Sequence, residues 1–233
     1  VSRTRELVVF DWDGTLMDSA AKIVRSFERA LAEAGAPPRP VEAIRHVIGL
    51  GLAEAVQALL PEADERLRAR VMERYREHFL HGDDTAMALF PGVREGLEAL
   101  AERGYLLAVA TGKSRRGLER VLAETGLGGL FAVTRCADEA PSKPHPRMLE
   151  DILAYTGCEA AQAVMVGDTV YDMQMARAVG MDALAVSYGV HDRGMLLACG
   201  PLACFDSFPE VCAWLLAEPA RHAAVGVAGA KAL

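Results

Sequence analysis

Leu7-Val8-Val9-Phe10-Asp11-Trp12-Asp13-Gly14-Thr15 decides the fold. The apolar run Leu7 to Phe10 shows no alternation, the pattern of a strand buried on both faces, as in a parallel sheet. It ends in two carboxylates spaced i, i+2, so Asp11 and Asp13 leave an extended chain on the same side. Gly14 then permits a sharp turn. A crossover to the next parallel strand normally takes about a dozen residues or somewhat more. Here the next strand-like run, Leu106-Leu107-Ala108-Val109-Ala110, comes roughly ninety residues later.

The intervening stretch is helical by period. Ile23, Phe27 and Leu31 recur at i+4 behind Asp18 and Ser19, which are both suited to cap a helix. Pro37, Pro38 and Pro40 break the pattern, as do Gly49 and Gly51. Leu67, Val71, Tyr75 and Phe79 restore it up to Gly82-Asp83-Asp84, and Pro91-Gly92 opens the next element. Residues 17–85 are therefore expected to form an all-helical module inserted after the first strand, with residues 1–16 and 86–218 as the core. The two joints, near 14–18 and 82–91, are hinge candidates.

Downstream the pattern is regular. It predicts a helix over 92–103, a strand over 105–110, a helix from Ser114 to Thr125 and a weaker strand at Phe131-Ala132-Val133. A helix over 146–156, a strand from Ala163 to Val166, a helix over 170–179 and a strand from Ala183 to Val186 follow. The alternation implies an α/β fold: a doubly wound parallel sheet with a Rossmann-like core, carrying the small helical cap domain. Ligands in such sheets bind beyond the carboxyl ends of the strands. The Ala- and Gly-rich tail, 219–233, is expected to be flexible.

Composition removes several classes of function. With 52% hydrophobic and 24% charged residues, the chain is globular rather than disordered. Its 233 residues match one domain plus a small module at about 150 residues per domain. A net charge of −7 argues against nucleic-acid or anionic-membrane partners. The uncharged run from Gly194 to Phe205 contains Gly200 and Pro201 and falls short of the ~18 residues of a membrane span. Cysteines 136, 158, 199, 204 and 212 include no CxxC pair and read mostly as packing residues of a reduced protein. With no signal-peptide pattern at Val1 to Glu6, a cytoplasmic monomer or homodimer is expected.

Three strand ends carry polar residues: Asp11 to Thr15, Thr111-Gly112-Lys113 and Gly167-Asp168-Thr169; Ser142-Lys143-Pro144 precedes a helix. Taken singly, each also has an ordinary reading. The DxD is an acidic turn; Asp168 caps the following helix. Asp172 sits at that helix's positive end, Thr111 caps the helix from Ser114, and Lys143 is a solvated lysine. In a parallel sheet, however, all four sites converge on one edge. Carboxylates gathered there repel unless a cation joins them, and all-oxygen ligands suit Mg²⁺. Lys143, one of only four lysines, is held on an extended loop by Pro144. Together these groups suit a phosphate dianion, with a carboxylate placed to attack phosphorus.

The segments Phe10-Asp11-Trp12-Asp13-Gly14-Thr15-Leu16, Ala110-Thr111-Gly112-Lys113, Ser142-Lys143-Pro144-His145-Pro146 and Val166-Gly167-Asp168-Thr169-Val170-Tyr171-Asp172-Met173 resemble, in order, the haloacid-dehalogenase-like superfamily. The likeness is to its phosphatases with a helical cap, phosphoglycolate phosphatases among them. The resemblance implies that Asp11 is the nucleophile and Asp13 the acid and base. It gives Thr111, Gly112 and Lys143 to the phosphoryl group, with Lys143 also balancing charge. Mg²⁺ would be bound by Asp11, the backbone carbonyl of Asp13 and Asp168, with Asp172 in support. The implied substrate is a small phosphorylated metabolite. Two alternatives stand beside this reading: a sugar-phosphate mutase, whose cap histidine has no counterpart in residues 18–34, and a non-catalytic phosphate-binding protein. Lys113 reads as either a substrate contact or a solvated helix start, and Trp12 as either a site wall or filling beside the cap. Ile48-Gly49-Leu50-Gly51 reads as a substrate-facing cap loop or a plain turn. His145 and His191 read as turn and helix-start residues.

Overall fold

A computed structural model describes residues 5–82 and 85–217. The expected flexible tail, 219–233, lies outside the described residues. Strand β1, Leu7–Phe10, leads into a two-residue strand, β2, Met17–Asp18. Four helices follow: α1, Ala20–Glu33; α2, Val41–His46; α3, Leu52–Leu59; and α4, Glu65–Glu77. A π-helical turn, His78–Gly82, ends that set, and β3, Ala88–Leu89, pairs antiparallel with β2. Then come α5 (Val93–Glu102), β4 (Leu106–Thr111), α6 (Arg115–Thr125) and β5 (Val133–Cys136). The chain continues through α7 (Arg147–Thr156), β6 (Ala163–Gly167), α8 (Val170–Ala178) and β7 (Asp182–Val186). It closes with α9 (Arg193–Ala198), β8 (Ala203–Phe205) and α10 (Phe208–Ala217).

The six long-range strands form one parallel sheet in the order β5-β4-β1-β6-β7-β8. Strand β1 lies in the interior, and the winding direction reverses around it, which opens a crevice at the strand ends there. Its unbroken apolar run is explained by two separate cores. Val8 and Phe10 pack with α5, α6 and α10 on one face, while Leu7 and Val9 pack with α7 and α8 on the other. Helices α1 to α4 enclose a core of their own, built from Ile23, Phe27, Leu31, Ile44, Val56 and Val71. The i+4 stripes seen in the sequence are the residues that fill it.

Three local expectations change. The weak strand starts at Val133 rather than Phe131; Ala132 N already donates to Leu107 O, and Phe131 instead packs edge-on to Trp12. The uncharged run from Gly194 to Phe205, given no element from sequence, supplies most of α9 and all of β8. Trp12 is fully buried in the sheet core against Phe131, so it fills space there and not beside the cap.

Helix α5 packs on α10 through Gly96, where a Cβ would stand 2.4 Å from Cys212 Sγ and 2.8 Å from the Phe208 ring. Gly96→Ala is therefore expected to destabilise the protein by about 1–3 kcal/mol through overpacking, despite alanine's better helix propensity. A urea midpoint equal to or above that of the parent protein contradicts this.

Candidate active site

Strand β1 is pinned at its exit, where Asp11 N donates to Val166 O at 3.0 Å. The Asp11 carboxylate thus meets the groups arriving from β6. Asp11, Asp168 and Asp172 are buried, with carboxylate oxygens within 4.8 Å of one another. Like charges at that spacing repel by about 3 kcal/mol per pair at an effective dielectric near 20. One cation answers them: Lys143 Nζ lies 2.9 Å from Asp11 Oδ1 and 2.7 Å from Asp172 Oδ1. Burial works to lower the Lys143 pKa, but the two carboxylates outweigh it and hold the amine charged. The cluster still carries an excess of negative charge.

Each carboxylate is fixed differently. Asp168 Oδ1 accepts from Thr15 Oγ1 at 2.8 Å, and Oδ2 accepts from Val190 N at 2.9 Å. Gly14 has a φ of +81°, and a Cβ there would stand 2.2 Å from Asp168 Oδ2, so only glycine lets the turn close over that carboxylate. Asp172 Oδ2 accepts from Thr169 N and Thr169 Oγ1, while Thr169 Oγ1 also accepts from Asp172 N. The helix cap is therefore Thr169, in a reciprocal capping box with Asp172. The reading of Asp168 as a cap falls, and its carboxylate lies in the cluster with Asp11 and Asp172. Asp11 Oδ1 accepts from Trp12 N, whereas Oδ2 is buried with no hydrogen-bond partner among the described residues.

An orphaned carboxylate oxygen amid three buried acids fits a hard divalent cation with oxygen ligands. The electrostatics agree. Burial first, and then Asp172, pushes the Asp168 carboxyl up to about 7, and burial raises Asp11 well above its ordinary value despite Lys143.

Asp13 stands apart from this cluster. Its Oδ1 accepts from Ser19 Oγ at 2.5 Å and pairs with Lys113 Nζ at 2.8 Å. Ser19 occupies the cap position of α1 but accepts no capping bond; its hydroxyl donates to Asp13. Lys113 is 8% exposed, so of its two readings the solvated one falls: the Asp13 carboxylate holds it inside. Thr111 is buried, and its Oγ1 accepts from Lys113 N; the cap of α6 is Ser114, not Thr111. A cavity of about 540 Å³ is lined by Asp11, Asp13, Gly112 and Lys113 below and by residues of α1, α3 and α4 above.

The Ile48 to Gly51 turn lies directly on the site. A Cβ on Gly112 would be 2.6 Å from Gly49 O and 2.5 Å from Leu50 O, and Gly51 N donates to Ser142 Oγ at 2.7 Å. On the far side, Tyr171 Oη donates to His46 O, which also bonds His191 Nε2, while His191 Nδ1 accepts from Val170 N. His191 thus holds a turn together, as expected. His145 Nδ1 accepts from Arg147 N at the start of α7. Thr15, Ser19 and Ser142 are the site residues that sequence reasoning left without a role.

A parallel sheet whose strand ends gather buried aspartates and a lysine beneath a helical lid defines a class of hydrolase. The sequence profile of haloacid dehalogenase-like hydrolases matches residues 8–186, and the chain belongs to that family. It is 40% identical to the probable phosphatase IndB of Dickeya dadantii, over 89% of this chain and 92% of that protein. It is 36% identical to the plasmid-borne phosphoglycolate phosphatase of Cupriavidus necator, over 93% and 94% of the two chains. Among solved structures, a predicted phosphoglycolate phosphatase from Haemophilus somnus superposes with a TM-score of 0.80 at 26% identity, covering 90% of this chain and 97% of that one.

Asp168 favours its protonated form in the folded state, with a pKa of about 7 against 3.8 for the ordinary carboxyl. Its contribution to stability is complete below about pH 4 and is lost as pH rises through about 7. In EDTA, the melting temperature is therefore expected to fall between about pH 4 and pH 7, and Asp168→Asn to flatten the slope. Circular-dichroism melts that stay level or rise across this range refute it.

Proposed function

We propose that this phosphatase hydrolyses a small phosphorylated metabolite through an aspartyl-phosphate on Asp11, with Mg²⁺ as cofactor. The observation that carries the reading is the unpartnered Asp11 Oδ2 among buried acids, with an ammonium group 2.9 Å from the other oxygen. Lone pairs so placed are available to phosphorus or a cation and to nothing else nearby. Asp11, Asp168 and the backbone carbonyl of Asp13 would hold Mg²⁺, with Asp172 supporting through charge, since its Oδ1 is already paired with the Lys143 ammonium. Bound there, the ion supplies positive charge against the phosphoryl oxygens.

The chain's own groups do the rest. An Asp11 oxygen attacks phosphorus in line, and the bond from phosphorus to the leaving oxygen breaks. Asp13 gives that oxygen its proton. Water then attacks the phosphorus of the aspartyl-phosphate, Asp13 takes the water's proton, and inorganic phosphate leaves with Asp11 restored. Lys143 offsets charge on Asp11 and the phosphoryl group throughout, while Thr111 and the backbone of Gly112 hold phosphoryl oxygens. Residues 17–85 act as a cap, and the Ile48 to Gly51 turn seated over Gly112 keeps bulk water from the reacting atoms. The relatives named phosphoglycolate phosphatase support a small acid phosphate as substrate. The five free thiols suit a reducing, cytoplasmic setting.

Phosphate release from p-nitrophenyl phosphate is expected to require Mg²⁺. Asp11→Asn should lower it by at least about a thousandfold while leaving the melt cooperative. No release by folded parent protein, or near-full activity of the variant, ends the assignment. Asp13→Asn is expected to slow an alkyl phosphate by at least about a hundredfold. It should slow p-nitrophenyl phosphate less, because that leaving group departs without a proton. Equal losses on both esters remove the acid role.

A further inference from the structure

The i+4 stripe of α4 changes its task along the helix. Val71 is buried in the core of the helical unit, whereas Tyr75, one turn on, and Phe79, in the π-helical turn, line the cavity with Asp11 and Asp13. The Tyr75 ring is flanked by two others, with centroids 4.3 Å away at Phe27 and 5.7 Å away at Phe79. Phe27 is 3% exposed and belongs to the same core as Val71. Ring packing of this kind restrains the phenol. Yet Tyr75 Oη has no hydrogen-bond partner among the described residues.

Packing alone leaves that hydroxyl unexplained. Phenylalanine would fill the same place, as it does at 27 and 79, without drawing a polar group away from water. Burial first, and then the Asp13 carboxylate, hold the Tyr75 phenol well above its ordinary pKa, so it keeps its proton and acts as a donor. Tyr75 therefore stands within electrostatic reach of Asp13 without being bonded to it. Asp13 Oδ1 is already engaged by Ser19 and Lys113. Both side chains open on one cavity of about 540 Å³, whose wall there includes the apolar Ile23, Phe27 and Leu80. Phenols withdrawn from bulk solvent are normally hydrogen-bonded, so the missing acceptor is one that enters the cavity.

Resting on the phosphatase reading, we propose that Tyr75 is the specificity-determining contact of the helical unit: its hydroxyl donates to an uncharged hydroxyl oxygen of the leaving group, close to the ester oxygen that Asp13 protonates. The core then reads the phosphoryl group, and α4 reads the alcohol. A plain alkyl leaving group would displace water from the phenol and give it no acceptor in return. A site built to hydrogen-bond a hydroxyl rejects the analogue that lacks it. The rings of Phe27 and Phe79 serve this contact by holding the donor in place before the substrate arrives.

The test compares kcat/KM for glycerol 1-phosphate and propyl phosphate, with Mg²⁺ present, in the parent protein and Tyr75→Phe; p-nitrophenyl phosphate controls for the phosphoryl chemistry. The two alkyl esters share one carbon chain and differ only in the free hydroxyls of glycerol. The parent protein is expected to prefer glycerol 1-phosphate by at least about twentyfold. Tyr75→Phe should shrink that preference at least about fivefold, through the glycerol ester. A parent protein that takes both alkyl esters alike, or takes neither while cleaving p-nitrophenyl phosphate, overturns the proposal without recourse to the variant. So does a variant that keeps the full preference. A Tyr75→Phe loss of equal size on both alkyl esters also overturns it, being the mark of a phenol that acts through packing or through Asp13. If folded parent protein cleaves none of the three, the phosphatase reading itself fails and this contact fails with it.

Discussion

Three carboxylates and a single lysine share a buried pocket at the carboxyl edge of the sheet, and their imbalance of charge governs the rest of the site. Each acid removed from water gives up hydration that only close partners restore. Asp172 is partnered by Lys143 and Thr169, and Asp168 by Thr15 and Val190, while Asp11 keeps one oxygen bare. Glycine at position 14 allows the acids to be this close, because any side chain there would occupy the place of Asp168. The local sequence around each acid is thus chosen to hold an arrangement that electrostatics alone disfavours.

The fold supplies the convergence. Because β1, β4 and β6 are adjacent and parallel, residues far apart in the chain leave the sheet at one edge. Strand pairing places Asp11 beside Val166, and thereby beside the turn that carries Asp168. The helical unit returns over this edge, and its Ile48 to Gly51 turn touches Gly112 and Ser142, which flank Thr111 and Lys143 in sequence. Asp11, Thr111, Gly112 and the helical unit are consequently brought together by backbone geometry more than by long side chains.

Much of this was legible in the residues. The unbroken run before Asp11 and the spacing of Ile23, Phe27 and Leu31 report burial directly, because period follows from which face is covered. The convergence of Asp11, Asp168 and Lys143 followed from a parallel sheet and needed no side-chain detail. What stayed hidden depends on tertiary partners. Ser19 has the sequence context of a helix cap, yet it accepts no capping bond and its hydroxyl donates to the Asp13 carboxylate. Lys113 looks like any polar residue before a helix until that same carboxylate draws it inside. Helix α9 and strand β8 come from a stretch with neither clear period nor charge, so packing against β7 decides their form.

The opposed anchoring of the two site aspartates has a dynamic consequence. Asp11 is stitched to the sheet by Asp11 N to Val166 O, whereas Asp13 lies at the root of the β2–β3 ribbon and is gripped by Ser19 at the foot of α1. On the proposed mechanism the attacking group is thus anchored to the sheet, while the proton donor is held between Lys113 of the core and Ser19 at the foot of the helical unit, so that a displacement of that unit would leave the attacking oxygen in place and loosen the aim of the proton donor.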